Sequence, residues 1–246
     1  MRLYDEIIHD ILTSLEKQDK HILPVGAAAD PVSRDWQDAG KAMMILQSDM
    51  AYELGGHNFP AVGNTLVTTG KDFVPEDEII LIGKDLPEIT EDTPYARIAL
   101  VRVAEDSIGT GDRLYNTIRN IGYFRYHIYP KGFMLRVSSS NDRESVRVEA
   151  EALNEGLNFT AIGNAMLRAL HLHKEVEAVR IIFVTDPKVD YGRLQDGLKK
   201  TKQITATIDH MLKDVNMDCG SCGLQEICDE IEGLREMHFG MSEEHT

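Results

Sequence analysis

The chain has 246 residues, of which 42% are hydrophobic and 27% are charged, so it is long enough for a domain with a substantial core. Its formal net charge of −15 argues against a protein that coats nucleic acid or an anionic membrane, because both tasks need an excess of Lys and Arg. No apolar run approaches the roughly 20 residues of a membrane span, and the first residues turn acidic at once, unlike a signal peptide.

The N-terminal region is predicted to be helical. Apolar residues within Tyr4–Leu15 fall on one stripe opposite Asp, Glu and Lys, a pattern typical of an amphipathic helix. Gly, Ala and Pro interrupt this pattern over Pro24–Pro31, so we assign residues 1–44 to an N-terminal helical arm. A second helical run is predicted over Gln37–Leu54, where the following pair of glycines gives a stop signal.

The middle of the chain alternates between short β-rich runs and helical patterns. Residues Leu114–Ile121 and Phe159–Leu170 have apolar side chains three and four apart, and each run follows an N-cap residue type, Asp112 or Asn158. The segment 145–153 is ambiguous, because its first half alternates like a strand and its second half favours helix. The predicted strands are Thr65–Thr69, Glu78–Ile82, Ala96–Val103, Phe133–Ser138 and Ala178–Thr185.

A long helix is predicted from about Val189 to Val215, and a distinct segment follows it. The sequence as a whole predicts a mixed α/β fold with one mixed sheet flanked by helices. We assign residues 45–215 to a central α/β domain and residues 216–246 to a cysteine-rich helical tail. From Met217 to Thr246 the chain has eight acids and one base, so the tail carries −7 of the total charge.

The three cysteines of the chain form one cluster, Cys219, Cys222 and Cys228. This grouping is unlike a secreted disulfide scaffold and leads us to expect a cytoplasmic, reducing compartment. Two cysteines three apart on a glycine-containing turn can direct both sulfurs at one ion, and thiolates favour zinc or iron–sulfur clusters over hard cations. The cysteines are therefore predicted to bind a metal; the alternative is three thiols that are close together without a common role.

The identity of the metal depends on the fourth ligand. Zinc would take His238, His210 or Asp218 to complete a tetrahedron. An iron–sulfur cluster could use the same residues, a water molecule, or a cysteine from a partner protein.

A second candidate site is a concentration of arginines in the middle of the chain. Eight of the 14 arginines lie between residues 97 and 147, and with Lys131 they outnumber the acids of this stretch by nine to five. Several tyrosines are interleaved with them. Because the guanidinium group suits phosphates and stacks on flat rings, this patch is predicted to bind a nucleotide-like cofactor such as coenzyme A. The alternative is that these arginines pair with surface acids. The candidate cofactor-binding residues are Arg113, Arg119, Arg125 and Arg136.

An ordered series of blocks between about residues 45 and 190 resembles the β subunit of the carbon monoxide dehydrogenase/acetyl-CoA synthase complex. These blocks are Asp49–Gly56, Glu78–Leu86, Ile118–Tyr126, Leu135–Ser138 and Val179–Asp186. They correspond to the central mixed α/β domain of that family, which is rich in arginine and has been linked to coenzyme A. The resemblance therefore implies a mixed α/β fold and coenzyme A as a ligand.

The resemblance is less complete in the cysteine tail. Family members form acetyl-CoA at a nickel–iron–sulfur centre and carry a four-cysteine motif that opens with C-x2-C, onto which Cys219 and Cys222 can be placed. Cys228 comes sooner than the third cysteine of the family, no fourth cysteine follows, and these 246 residues lack the Cys-Gly-Cys segment that holds nickel. We therefore expect no acetyl-CoA synthesis by this chain alone, and its status as an enzyme is left open.

From these features we expect an acetyl-CoA-synthase-like protein of anaerobic one-carbon metabolism. Its cysteines would hold an iron–sulfur cluster, of the 4Fe–4S type, that serves electron transfer or docking. Its expected partner is a protein of a carbon monoxide dehydrogenase-type system, and assembly into a homo-oligomer is left open. Two alternatives are a coenzyme A or acyl-CoA binding protein that uses the arginine patch, and a structural zinc-tail module that assembles a complex.

Overall fold

The structure of the protein is a computed structural model that describes residues 3–26, 36, 38–105, 112–138 and 143–213. The predicted tail, with Cys219, Cys222 and Cys228, lies outside the described residues. The α-helices of the described ranges are α1 (Asp5–Ser14), α2 (Asp112–Gly122), α3 (Ala150–Asn154), α4 (Phe159–Leu170) and α5 (Tyr191–Lys213). Their strands are β1 (His21–Leu23), β2 (Met50–Leu54), β3 (Ala61–Thr68), β4 (Glu78–Ile82), β5 (Tyr95–Val103), β6 (Phe133–Val137), β7 (Glu144–Glu149) and β8 (Val176–Val184).

The larger sheet is five-stranded and mixed, with the strand order β1-β4-β8-β5-β3. The pairs β4–β8 and β3–β5 are parallel, whereas β8 and β5 at the centre are antiparallel to each other. Strands β3, β4, β5 and β8 are buried over nearly their whole length. This explains why β4, β5 and β8 are rich in apolar residues and do not alternate strictly between apolar and polar, as is typical of strands covered on both faces.

The smaller sheet is antiparallel, with the order β2-β7-β6. In its central strand, β7, buried and half-buried residues alternate, as expected when one face is packed and the other is wet. The ambiguous segment 145–153 divides between the end of this strand and α3. The mixed α/β class and the N-terminal helix are thus confirmed, and the described residues add this second sheet.

The predicted helix over Gln37–Leu54 is wrong. Residues 41–49 form turns and unpaired segments, and β2 follows them and pairs with β7. Tyr52 and Leu54, two residues apart, are both buried, and the Tyr52 hydroxyl donates to the Leu86 carbonyl oxygen at 2.6 Å. Burial of alternate residues against the core therefore overrides the local helical pattern.

Helices α2, α4 and α5 pack onto the large sheet. Helix α1 buries Ile7, Ile8 and Ile11 and lies against α5. Helix α4 packs on β4 and β8 and begins at Asn158, whose side chain accepts the Ala161 amide proton at 2.8 Å, so the predicted N-cap is confirmed. None of the described helices is both long and apolar enough to span a bilayer.

Tyr4, just before α1, is expected to make the protein sensitive to alkaline pH. Its hydroxyl lies 3.1 Å from Thr205 Oγ1, and burial raises the pKa of Tyr4 from 10.0 to about 12. Below pH 10 the phenol is protonated in both the folded and the unfolded chain. Between pH 10 and 12 only the unfolded chain loses this proton, so stability falls as pH rises.

The free energy of unfolding of the wild type is expected to fall with pH between pH 10 and 12. In the Tyr4→Phe variant this fall should be less steep by up to about 1.4 kcal/mol per pH unit. Urea unfolding followed by circular dichroism at pH 8, 10 and 11 measures it. The slope should become shallower but not vanish, because burial also raises the pKa values of Tyr52 and Tyr191. An unchanged slope in the Tyr4→Phe variant would contradict the assignment.

Candidate active-site cleft

A cleft of about 330 Å³ lies between α2, α5 and the first half of β3. The start of β3 forms its floor, α2 and the short 3-10 helix Tyr123–Tyr126 form one wall, and α5 forms the other. We call it the arginine cleft. Its lining residues are Gly63, Asn64, Thr65, Tyr115, Ile118, Arg119, Gly122, Tyr123, Arg125, Leu198, Thr201, Lys202, Thr205, Ala206 and Asp209.

The described lining of the arginine cleft is predominantly cationic, because it includes Arg119, Arg125 and Lys202 against one acid, Asp209. The wall formed by α5 is tied to the floor by a buried hydrogen bond from the Asn64 side chain to Thr201 Oγ1 at 3.1 Å. The cleft is therefore a fixed concave surface with excess positive charge, which suits an anionic ligand.

Arg119 is an exposed lining residue of the cleft and lies beside two tyrosine rings. Its guanidinium carbon is 5.8 Å from the ring centroid of Tyr115 and 5.2 Å from that of Tyr123, and its Nε donates to the Tyr123 hydroxyl at 2.8 Å. This hydrogen bond raises the pKa of Arg119. The spacing follows from the helix, since residues four apart share one face. The arrangement presents a charged group and flat rings to a ligand together.

Arg125 is the more buried of the two arginines that line the cleft. Its guanidinium stands 5.1 Å from the ring centroid of Tyr126, and its Nη1 lies 3.6 Å from the Glu144 carboxylate. The Nε atom of Arg125 is buried and has no hydrogen-bond partner among the residues that the structure describes. Arg125 thus combines an incomplete set of partners with a place in the cleft lining.

Behind Arg125, Glu144 forms a buried two-point ion pair with Arg97. Nε and Nη2 of Arg97 donate to the two carboxylate oxygens at 2.6 and 2.7 Å, and both side chains are almost completely buried. Burial lowers the pKa of Arg97, but the charge of Glu144 and its hydrogen bonds outweigh this effect and raise it. Arg97 Nη1 also donates to the Asn64 carbonyl oxygen and to Thr65 Oγ1, each at 3.3 Å, so the pair supports the cleft floor.

Gly63 makes room for this carboxylate. A Cβ atom added at Gly63 would lie 2.1 Å from Oε2 and 2.6 Å from the Cβ of Glu144. The side chain of Glu144, from the small sheet, therefore rests directly on the backbone of β3 in the large sheet. The neighbouring Tyr95 hydroxyl is buried without a hydrogen-bond partner among the described residues, and burial, reinforced by Glu144, raises its pKa well above 10.0.

The structure brings together two of the four candidate cofactor-binding arginines, Arg119 and Arg125, whereas Arg113 and Arg136 do not line the cleft. Arg113 is exposed on α2. Arg136, on β6, forms an ion pair with Glu53, which also receives Arg147 at 3.4 Å.

Other arginines of the predicted patch support the fold. Nη1 of Arg102 donates to the Val74 carbonyl oxygen at 2.7 Å, and Nη2 of Arg143 donates to that of Phe59 at 2.6 Å. The patch is thus divided into structural arginines, the two arginines that line the cleft, and the exposed Arg113.

The candidate metal ligands Cys219, Cys222, Cys228, His238 and Asp218 lie outside the described residues. His210 is described, near the end of α5. Within the described ranges, no three His, Cys, Asp or Glu side chains are grouped so that they could hold a metal ion.

A model of the CO dehydrogenase/acetyl-CoA synthase complex beta subunit family matches residues 37–189, which is more than half of the chain. The chain belongs to this family. The part of the chain that matches the beta subunit family begins before β2 and ends after β8. It therefore contains Arg97, Arg119, Arg125 and Glu144. No match was found among curated proteins.

The family match stops before α5, which supplies the second wall of the cleft, including Lys202. Sequence reasoning missed Lys202, Asn64 and Glu144. Lys202 and Leu198 lie four residues apart in the long predicted helix, so the helical period could have indicated that they share a face. No sequence signal links Glu144 to Gly63, because their contact depends on how the two sheets meet.

Proposed function

We propose that this member of the beta subunit family binds coenzyme A or an acyl-CoA in the arginine cleft, as part of a carbon monoxide dehydrogenase-type system. The observation that carries the proposal is the convergence of Arg119, Arg125 and Lys202 on one concave surface beside exposed tyrosine rings. One guanidinium group can donate two parallel hydrogen bonds to the oxygens of a phosphate. The planar groups of tyrosine and arginine can also stack on a purine ring. The nucleotide end of coenzyme A offers both groups.

The volume of the cleft supports binding of the nucleotide end of the ligand. At about 330 Å³ it lies at the lower end of the range for small-molecule sites. The phosphates would lie against Arg125 and Lys202, the ring would lie against Tyr115 or Tyr123, and the thiol end would extend outward. In this role the chain presents the thiol of coenzyme A to a partner that performs the chemistry.

Titration calorimetry with coenzyme A tests this proposal. We expect Arg119→Ala and Arg125→Gln each to weaken binding by about 10- to 100-fold, the usual effect of losing a hydrogen bond to a charged group. Pantetheine, which lacks the nucleotide and its phosphates, is expected to give no heat. Absence of binding heat at millimolar coenzyme A would refute the proposal.

The matched control is Arg113→Ala. It removes the same charge from the same helix at an exposed position outside the cleft lining. We expect it to change the affinity by less than about threefold, because exposed charges that make no contact act only through screened long-range fields. An effect equal to that of Arg119→Ala would mean that overall charge, and not the cleft, attracts the ligand.

We further propose that Cys219, Cys222 and Cys228 hold an iron–sulfur cluster that serves electron transfer or docking. The spacing of the three thiols supports this second function. Helix α5 lines the cleft and is described as far as Lys213, so only five residues separate it from the first cysteine. Bound zinc would instead make the tail a structural assembly module.

Iron and acid-labile sulfide analysis of anaerobically purified protein tests the cluster. We expect matching iron and sulfide with visible absorption, and loss of both in Cys222→Ala, because a cluster needs its thiolate ligands. Ser221→Ala, a neighbour without a thiol, should keep the colour. Zinc in place of iron, or colourless protein after full iron and sulfide supply, would contradict the cluster.

A further inference from the structure

A carboxylate shared between two guanidinium groups lies beneath the floor of the arginine cleft. Glu144 is 1% exposed, and Arg97 occupies both of its oxygens with hydrogen bonds of 2.6 and 2.7 Å. Arg125 approaches the same carboxylate at 3.6 Å, which is within ion-pair range but too long for a hydrogen bond. One buried negative charge thus faces two positive charges.

Glu144 holds Arg125 more weakly than it holds Arg97. Its side chain is 19% exposed, its Nε has no hydrogen-bond partner among the described residues, and Nη2 reaches the Tyr126 hydroxyl only at 3.4 Å. Arg97, in contrast, is fully buried and holds Glu144 through two short bonds. Arg125 can therefore turn toward an anion in the cleft while Glu144 keeps its two short bonds to Arg97, whereas movement of Arg97 would break both of those bonds.

We propose that Glu144 is a positioning residue that holds Arg125 in the wall of the cleft and competes with a ligand phosphate for its guanidinium group. This inference rests on the proposed function, because the phosphate is that of the nucleotide ligand. Glu144 orients Arg125 in the free protein and also reduces its attraction for anions. It thereby sets the affinity of the cleft without touching the ligand.

The competition predicts that the Glu144→Gln variant binds an anion more tightly than the wild type, although it removes a buried ion pair. Removing the negative charge beside Arg125 strengthens the attraction for an anion, so binding of inorganic pyrophosphate is expected to become about tenfold tighter. The same change lowers the thermal midpoint, since Arg97 loses its charged partner. If Glu144 only supported the fold, the less stable variant would bind pyrophosphate equally or more weakly.

Titration calorimetry with pyrophosphate on four proteins measures this effect. These are the wild type, Glu144→Gln, Arg125→Gln and the double variant. The effect of Glu144→Gln should disappear when Arg125 is absent, because Glu144 acts through Arg125. Equal or weaker binding by Glu144→Gln, a tightening that persists without Arg125, or no pyrophosphate binding by any of the four overturns the proposal.

A measurement on the wild-type protein decides the matter if Glu144→Gln does not fold. The arginine Nε–H resonances are followed by NMR during pyrophosphate titration, with Arg125→Gln assigning its signal. We expect the Arg125 signal to shift and the Arg97 signal to stay, because only Arg125 leaves its partner. A shift of Arg97 alone, or no shift of Arg125, overturns the proposal.

The two proposals fail in different ways. If coenzyme A binds and Glu144→Gln does not tighten pyrophosphate, the positioning role is wrong and the proposed ligand stands. If pyrophosphate shows the expected pattern but coenzyme A does not bind, the positioning role stands and the ligand is another phosphate compound.

Discussion

The Arg97→Met variant is expected to lose about 3 to 5 kcal/mol of unfolding free energy, the usual cost of leaving a buried charge without its partner. Arg97 is 0% exposed, and its loss would leave the Glu144 carboxylate with Arg125, at 3.6 Å, as its one cationic partner among the described residues. Methionine keeps much of the volume, so the effect reports charge more than packing. Urea unfolding followed by circular dichroism at pH 7 measures it.

Two comparisons isolate the buried ion pair. The double variant Arg97→Met/Glu144→Leu is expected to recover a large part of the loss, because an apolar pair needs no compensation for desolvation. Lys199→Met breaks an exposed ion pair, Lys199 Nζ to Asp196 at 3.0 Å, and should change the stability by less than about 0.5 kcal/mol. A cost for Arg97→Met as small as that of Lys199→Met would show that Arg97 is not a buried partner of Glu144.

The Gly63→Ala variant is expected to cost about 3 kcal/mol or more, although it adds only one methyl group. The new Cβ would lie 2.1 Å from the Glu144 carboxylate, and β3 cannot retreat because it is paired with β5 along its whole length. Glu144 must move instead, which strains or breaks its bonds to Arg97. The cost therefore combines overpacking with disruption of the ion pair.

Gly122→Ala is the matched control for this prediction. Gly122 has helical backbone angles, and a Cβ added there meets nothing within 4 Å among the described residues. Alanine at such a position is expected to be neutral or to stabilise by up to about 1 kcal/mol. Thermal unfolding of the two variants side by side checks the difference, and similar midpoints would contradict the close contact at Gly63.

The parts of the fold that local patterns determine could be predicted from the sequence. Strand β4 has the predicted bounds because its run of apolar residues is buried on both faces and is bounded by polar residues. Strand β3 begins at Ala61, four residues before the predicted start at Thr65. Gly63 and Asn64 are residue types that are typical of loops. In the fold, however, Gly63 makes room for Glu144, and the Asn64 side chain donates a hydrogen bond to Thr201. Tertiary contacts thus decide these positions.

The candidate site was predictable in part. Arg119 and Arg125 were found because they lie in an arginine-rich, tyrosine-rich stretch, and α2 with its 3-10 extension keeps them on one wall of the cleft. Arg113 and Arg136 belong to the same stretch, but helix phase and strand pairing direct them elsewhere. The Arg97–Glu144 pair is separated by 47 residues and joins two sheets, so no local pattern indicates it.

The position of β8 in the large sheet has a consequence for synthesis of the chain. Residues 176–184 lie between β4 and β5, so within the described part of the sheet the two outer pairs, β1–β4 and β3–β5, are joined through β8 alone. While the ribosome adds residues at roughly 5 to 20 per second, the inner edges of β4 and β5 lack their native partner until β8 has emerged. Such long-range pairing is slow to form and leaves apolar strand edges open to other chains. Nascent chains that stall before residue 176 should therefore be the species that aggregates or recruits chaperones.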